Sequence, residues 1–326
     1  MHAIRQHEFG PPSTLRYEEV PDPVPAAEQV RIRVGAAGVH LLDTAIRSGV
    51  GGGPFPLPAL PMTPGREVAG VVDALGDGVD PAWLGKRVVA YLNTQRGGYA
   101  ELAVVAAAAL HEVPAGVSDA AAVATIGTGR TAMAVLDDAR ITDSDVVLVP
   151  AAAGGIGAFV VQAARDIGAI VIGLAGPAKL DVVRGLGAEL VFDYTSDGWP
   201  EEVRAALADR AVTVVLDGVG GKVGRHAMEL LGVAGRLVMF GWSAGSPPEL
   251  RAEDLYGRGL TVSVPIGQRI IAVPGALRAL EERALAEVFA GRIVPLTHEA
   301  IPLAEAARAH TELENRGTVG KVVLVP

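Results

Sequence analysis

The chain has 326 residues, half of them hydrophobic and a fifth charged, which is enough for two domains and too apolar for global disorder. A net charge of −9 disfavours broad nucleic-acid binding, which needs a basic face to displace phosphate counterions. Cysteine is absent, so disulfides, a thiolate nucleophile and cysteine-ligated zinc are excluded.

The first residues, MHAIRQHEFGPPSTL, show no basic segment followed by an apolar stretch, as a signal peptide requires. No apolar run reaches spanning length without polar interruption. The expectation is a cytoplasmic protein with no membrane partner. Residues 1–118 are rich in proline and glycine, with short strand-like runs: QVRIRVGAAGV (29–39), REVAGVVDAL (66–75), KRVVAYL (86–92) and YAELAVV (99–105). They predict a partly antiparallel β domain. PFPLPALPMTP (54–64) reads as a loop, because its prolines cannot sit in central strands.

From residue 146 the pattern changes to alternating strand and helix. VVLVP (146–150) is a β-branched run of the kind a buried parallel strand shows. IGAFVVQAARDIG (156–168) has helical apolar spacing, AIVIGLA (169–175) is a second buried strand, and AKLDVVRGLG (178–187) is a helix closing on glycine. LVFDY, VTVVLDGVG and GRLVMFG repeat the strand signal, with helical stretches at 200–208 and 222–231 between them. This alternation predicts an α/β fold with a doubly wound parallel sheet, whose ligand crevice lies at the carboxyl ends of the strands. The tail carries LTVSVP, an amphipathic helix (276–291) and a final strand, GKVVLVP. It is expected to return to the first domain, giving 1–118 with 261–326 as one domain and 119–260 as an inserted dinucleotide domain.

Between the first strand and helix of the alternation stands AAAGGIG (151–157). Read from Ala152 it is A-x-G-x-x-G, with alanine in place of the first glycine of the dinucleotide fingerprint. Gly154 lets the backbone approach a pyrophosphate, and Gly157 lets the helix pack close to its strand. Ala153, Gly154, Gly155, Ile156 and Gly157 are therefore the candidate phosphate cradle, at a helix N-terminus that offers free N–H groups and positive dipole. A bare tight turn is the competing reading. NAD sites carry an acid at the end of the second strand; here that stretch reads GLAGPAK, with none. Lys179 stands where it can meet a 2′-phosphate as a point charge, so NADPH is the favoured cofactor.

GVHLLDTAIRSG (38–49), PGREVAGVV (64–72), AAAGGIG with VVQAARDIGAIVIG, and the terminal GTVGKVVLVP together resemble the medium-chain dehydrogenase/reductase superfamily. The nearer likeness is to its zinc-independent NADPH:quinone oxidoreductase branch, over nearly the full length. The resemblance implies a GroES-like β-rich catalytic domain beside a Rossmann domain, NADPH in the cleft between them, and a homodimer. It implies hydride transfer to a small-molecule acceptor, a quinone or an α,β-unsaturated carbonyl. It also implies cofactor contacts at Tyr194, at Val219, at Phe240, Gly241 and Ser243 of the FGWSAG loop, and at Arg316 and Lys321 of the terminal segment.

The departures narrow the chemistry. Zinc-dependent members of the superfamily place cysteine at position 40 and histidine at 66; here stand His40 and Arg66, and a guanidinium cannot ligate zinc. No metal is expected. Quinone oxidoreductases of this branch carry asparagine at position 40 and tyrosine at the positions of Ala45 and Met133. His40 is a candidate proton donor to the reduced acceptor, or else a satisfied histidine at a strand end. Asp43 and Thr131 complete the catalytic candidates: Asp43 as an organiser of the loop after His40, Thr131 near the nicotinamide or as a helix-start hydroxyl. Arg66 and Glu67 are expected to pair with each other. Two other classes stay open: a specialised biosynthetic enoyl reductase or cyclase, and an NADPH-binding sensor with little turnover.

Overall fold

The computed structural model describes residues 1–50, 57–92 and 96–326. Three residues of the expected loop, Pro54, Phe55 and Pro56, lie outside them.

The chain opens with β1 (His2–Gln6) and β2 (Leu15–Glu19), an antiparallel pair. β3 (Gln29–Val39) follows, then the short helix α1 (Leu41–Arg47), β4 (Glu67–Leu75), β5 (Arg87–Tyr91), β6 (Leu102–Ala106) and β7 (Leu110–Glu112). In β3 the period-two alternation is plain: Val30, Ile32 and Val34 are buried, while Arg31 lies on the other face, paired with Asp73 of β4. Helix α2 (Asp119–Ala139) leads into the alternating region: β8 (Val146–Val149), α3 (Gly155–Ile167), β9 (Ile170–Ala175), α4 (Leu180–Gly185), β10 (Leu190–Asp193), α5 (Trp199–Leu207), β11 (Val212–Asp217), α6 (Gly221–Glu229) and β12 (Leu231–Met239). Then come α7 (Ala252–Arg258), β13 (Thr261–Ser263), α8 (Gln268–Ile271), α9 (Ala276–Phe289), β14 (Ile301–Pro302), α10 (Ala306–Glu314) and β15 (Val322–Val325).

The chain divides into two compact units, 1–127 with 297–326 and 128–296. In the first, β14-β15-β3-β4-β5-β7 form one sheet, with β6 also on β3. The terminal strand β15 enters it antiparallel to β3, pairing Val322 with Val39. Its core gathers Val30, Ile32, Val68, Val88, Tyr99 and Leu324. In the second, the six strands run β10-β9-β8-β11-β12-β13, all parallel. Counted from β8 the order is 3-2-1-4-5-6, with the topological switch point between β8 and β11. All four residues of β8 are buried because the sheet is covered on both faces, one core packing α3 and α9, the other α5 and α6.

The expected domain limits need correction. LTVSVP does not return to the first unit: β13 adds to the edge of the parallel sheet beside β12, and α9 buries Leu280, Ala284 and Val288 in the core that α3 lines. Residues 261–296 thus belong to the second unit. The amphipathic pattern told which face of α9 is buried but not what buries it. Among the described residues no helix is long and apolar enough to cross a membrane.

Candidate active site

The AAAGGIG turn joins β8 to α3 at the switch point. Ala151 takes a left-handed φ of 52°, and the Ala152 N–H donates to the Leu174 carbonyl of β9 at 2.9 Å, fixing the turn to the sheet. Gly154 is the N-cap of α3, and no side chain caps that helix. Its first-turn N–H groups thus receive no side-chain cap and sit at the positive end of the helix dipole. Gly157 has no alternative: a Cβ there would lie 2.4 Å from the Ala151 carbonyl oxygen and 2.8 Å from Ala152 Cα. One at Gly154 would come within 3.2 Å of the same oxygen.

At the next strand ends, Lys179 and Tyr194 are both tied to the carboxyl terminus of β9. The Lys179 N–H donates to the Gly176 carbonyl at 2.9 Å, and the Tyr194 N–H to the Ala175 carbonyl at 3.3 Å. No acidic side chain follows β9 before Lys179. After β11, Val219 joins the FGWSAG loop through backbone bonds: Ser243 N–H to the Gly218 carbonyl (3.2 Å), Ala244 N–H to that of Val219 (2.8 Å) and Gly221 N–H to that of Ser246 (2.9 Å). Phe240, Gly241, Ser243 and Val219 therefore form one stitched surface. Its organiser, which the sequence reading missed, is Asp217. This carboxylate is fully buried and accepts the N–H groups of Val219 at 2.8 Å and Gly220 at 3.0 Å. Burial raises its pKa, and those two N–H groups oppose the rise. The signal was available in DGVG, an Asx turn followed by glycines.

In the first unit His40 is the N-cap of α1, so the expected loop after it is a helix. The Asp43 N–H donates to the His40 carbonyl at 2.9 Å and the His40 N–H to Asp43 Oδ2 at 2.9 Å. Asp43 also receives Arg66 Nε at 3.0 Å and the Tyr99 hydroxyl at 3.2 Å. A carboxylate so enclosed and so fully engaged holds α1 in place. Behind it Tyr99 O meets His310 Nε2 at 3.3 Å. His310 is fully buried, which pushes its pKa down to about 4, and its Nδ1 has no hydrogen-bond partner among the described residues. Burial likewise raises the Tyr99 hydroxyl well above its ordinary value.

Arg66 and Glu67 do not pair with each other. Neighbours in extended chain point to opposite faces, so Arg66 reaches Asp43 while Glu67 turns toward His40 and Lys321. Glu67 Oε1 lies 2.9 Å from His40 Nε2 and 2.5 Å from Lys321 Nζ. Glu67 is fully buried and the Lys321 side chain is 5% exposed, whereas the His40 side chain keeps 22% of its surface open. Burial pushes the Glu67 carboxyl up, but His40 and then Lys321 pull it down further, to about 2. The contacts are close in distance yet off the hydrogen-bond axis, for neither Glu67 oxygen nor His40 Nε2 has a well-aligned partner among the described residues. Two glycines make room for the carboxylate. A Cβ at Gly38 would lie 2.0 Å from Oε1, and one at Gly127 of α2 would lie 2.4 Å from Oε2.

The remaining candidates are scattered. Lys321, expected on the cofactor, is engaged by Glu67. Arg316 follows α10 at a left-handed φ of 56°. Thr131 lies in the middle of α2, past the division between the units, so it is no helix-start hydroxyl. Among the described residues no group of three or more histidines and acids is arranged to hold a metal ion.

Two family models match the chain: the alcohol dehydrogenase GroES-like domain over residues 26–115 and the zinc-binding dehydrogenase over 155–282. The chain is also 33% identical to a quinone oxidoreductase of Pseudomonas aeruginosa, across 98% of this chain and 97% of that one. This protein belongs to the medium-chain dehydrogenase/reductase superfamily. A 2-haloacrylate reductase of a Burkholderia species is 32% identical over 98% of this chain and 97% of its own length. The structure of Escherichia coli quinone oxidoreductase complexed with NADPH superposes with a TM-score of 0.87 at 29% identity, covering both chains fully.

Proposed function

We propose that this protein is an NADPH-dependent oxidoreductase that reduces a quinone or an α,β-unsaturated carbonyl without zinc. The observation that carries the reading is the uncapped α3 N-terminus at the switch point of a 3-2-1-4-5-6 parallel sheet. The quinone oxidoreductase relatives and the NADPH complex of one of them support it.

Bound NADPH supplies a hydride. The N–H groups of Gly155, Ile156 and Gly157 would hold its pyrophosphate, with Ala153 and Gly154 shaping the turn. Lys179 and Tyr194 would meet the 2′-phosphate and adenosine, and no acid stands after β9 to repel that phosphate. Val219, Phe240, Gly241 and Ser243, with Thr131, are the residues of the second unit that would hold the nicotinamide end. Lys321 is assigned to Glu67 rather than to the cofactor. A quinone or enone accepts hydride at an electron-poor carbon and needs no Lewis acid. His40 donates the proton that the acceptor oxygen then takes, and Asp43 holds His40 at the start of α1. By resemblance the molecule is a homodimer, which light scattering checks.

The test is fluorescence titration with NADPH and NADH, then NADPH oxidation with a panel of quinones, enones and 2-haloacrylate. Tighter NADPH binding with turnover of either acceptor class is expected. Binding without turnover of any of them overturns the acceptor assignment, and no binding of either nucleotide overturns the whole reading.

A further inference from the structure

His40, Glu67 and Lys321 meet on one carboxylate oxygen, and their charges do not act independently. At 2.9 Å from Glu67 Oε1, a lone pair on His40 Nε2 would face a carboxylate charge. A neutral ring therefore keeps its proton on Nε2, facing the carboxylate, and leaves Nδ1 as its basic nitrogen. This attraction needs no aligned hydrogen bond, because charge acts at a distance.

The charged groups around the ring lie largely in opposed pairs, with Arg96 a further cation near Arg66, Asp43 and Tyr91. From β4, Glu67 is matched by Lys321, which precedes β15. From its own helix, Asp43 is matched by Arg66, with Tyr99 and His310 behind it. Tyr91 of β5 reaches the same corner, for a Cβ on Gly127 would lie 3.3 Å from its ring and 3.1 Å from His40 Cε1. Glycine at 127 lets α2 approach this closely without adding a charge.

We propose that Glu67 and Lys321 are a coupled positioning pair for His40: Glu67 fixes the ring with Nε2 protonated, and Lys321 offsets the carboxylate so that the ring can release its proton through Nδ1. Without Lys321, an uncompensated buried carboxylate would hold the ring as imidazolium. Without Glu67, an uncompensated ammonium would oppose its protonation. The two residues thus set the proton-donating range of His40 from opposite sides, although neither touches the acceptor. The catalytic consequence rests on the reading of His40 as the proton donor.

The experiment separates the two claims. The full-length protein is labelled with isotope-enriched histidine, and the His40 ring signal is assigned by its loss in His40→Asn. In Lys321→Met the titration midpoint of that signal rises by about one pH unit or more. Lys321→Arg leaves it in place, and Glu67→Gln/Lys321→Met brings it back toward the wild-type position. A midpoint that stays within about 0.3 unit in folded Lys321→Met overturns the proposal. Should Lys321→Met fail to fold, Glu67→Gln carries the test with a fall of about one unit, and an unmoved midpoint is again fatal. The pH profile of kcat at saturating NADPH is measured alongside. A profile that follows the ring midpoint supports both claims. A ring midpoint that moves while the profile stands still keeps the pair and refutes His40 as proton donor.

Discussion

The glycine turn and the His40 cluster are built on opposite plans. The turn is seven consecutive residues, and its working parts are backbone N–H groups, a helix dipole and the absence of side chains. The cluster draws Gly38, His40, Glu67, Gly127 and Lys321 from across the chain, and its working parts are side-chain charges shut away from water. A site made of backbone is held by local sterics and tolerates changes of charge nearby. A site made of buried charge depends on every partner being present. The comparison predicts that substitutions in the cluster register first in stability and pH response, and substitutions in the turn first in ligand affinity.

The sharpest break is Glu67→Ala. It strands the Lys321 ammonium in a buried place, and chemical denaturation should show a loss of about 3–5 kcal/mol. Equal stability in the variant would mean that the cluster is hydrated and that its charges are independent.

Acid titration comes next. The folded pKa of His310 is lowered to about 4, below its unfolded value near 6.5, so the unfolded chain takes up the proton first. Its neutral form is fully compatible with the fold above that range, and stability falls as pH drops from about 6.5 to 4, by about 3 kcal/mol. Glu67 acts in a lower window. Its folded pKa is depressed to about 2, so its contribution is present above the ordinary carboxylate range and is lost as pH falls toward 2. In His310→Phe the upper window should flatten while the lower one remains. A melting temperature that still falls across the upper window would remove His310 as its cause.

In the turn, Gly157→Val forces a side chain onto the Ala151 carbonyl. NADPH affinity should drop by about a hundredfold or more by fluorescence titration, near 2.7 kcal/mol. Circular dichroism separates a displaced α3 from global unfolding. The smallest effect belongs to Lys179→Ala. NADPH binding should weaken about tenfold while NADH binding is unchanged, the mark of a lost 2′-phosphate contact. Equal weakening of both nucleotides would place Lys179 elsewhere on the cofactor.

Much of the architecture could be read along the chain. The strand and helix segments from Val146 to Met239 follow from β-branched runs and helical spacing, because those patterns reflect burial by neighbouring elements whatever they are. The tight glycine turn was legible for the same reason: Gly154 and Gly157 answer to atoms only a few residues away. Residues 261–296 were misplaced because a short strand and an amphipathic helix fit either sheet equally well. Asp217 passed unnoticed, since an acid before a glycine turn looks like any loop residue until its burial is seen.

By itself the sequence determined the two-part fold class, the parallel alternation, the glycine turn between β8 and α3 and the exclusion of cysteine chemistry, all of which depend on local pattern or composition. Only the tertiary structure decided that β13 closes the parallel sheet, that Arg66 belongs to Asp43, and that Lys321 belongs to Glu67 beside His40. The ion pairs join residues on separate segments, and Glu67 and Lys321 lie far apart along the chain. They are chosen by which faces the strands present once packed, and by the need of each buried charge to find its opposite.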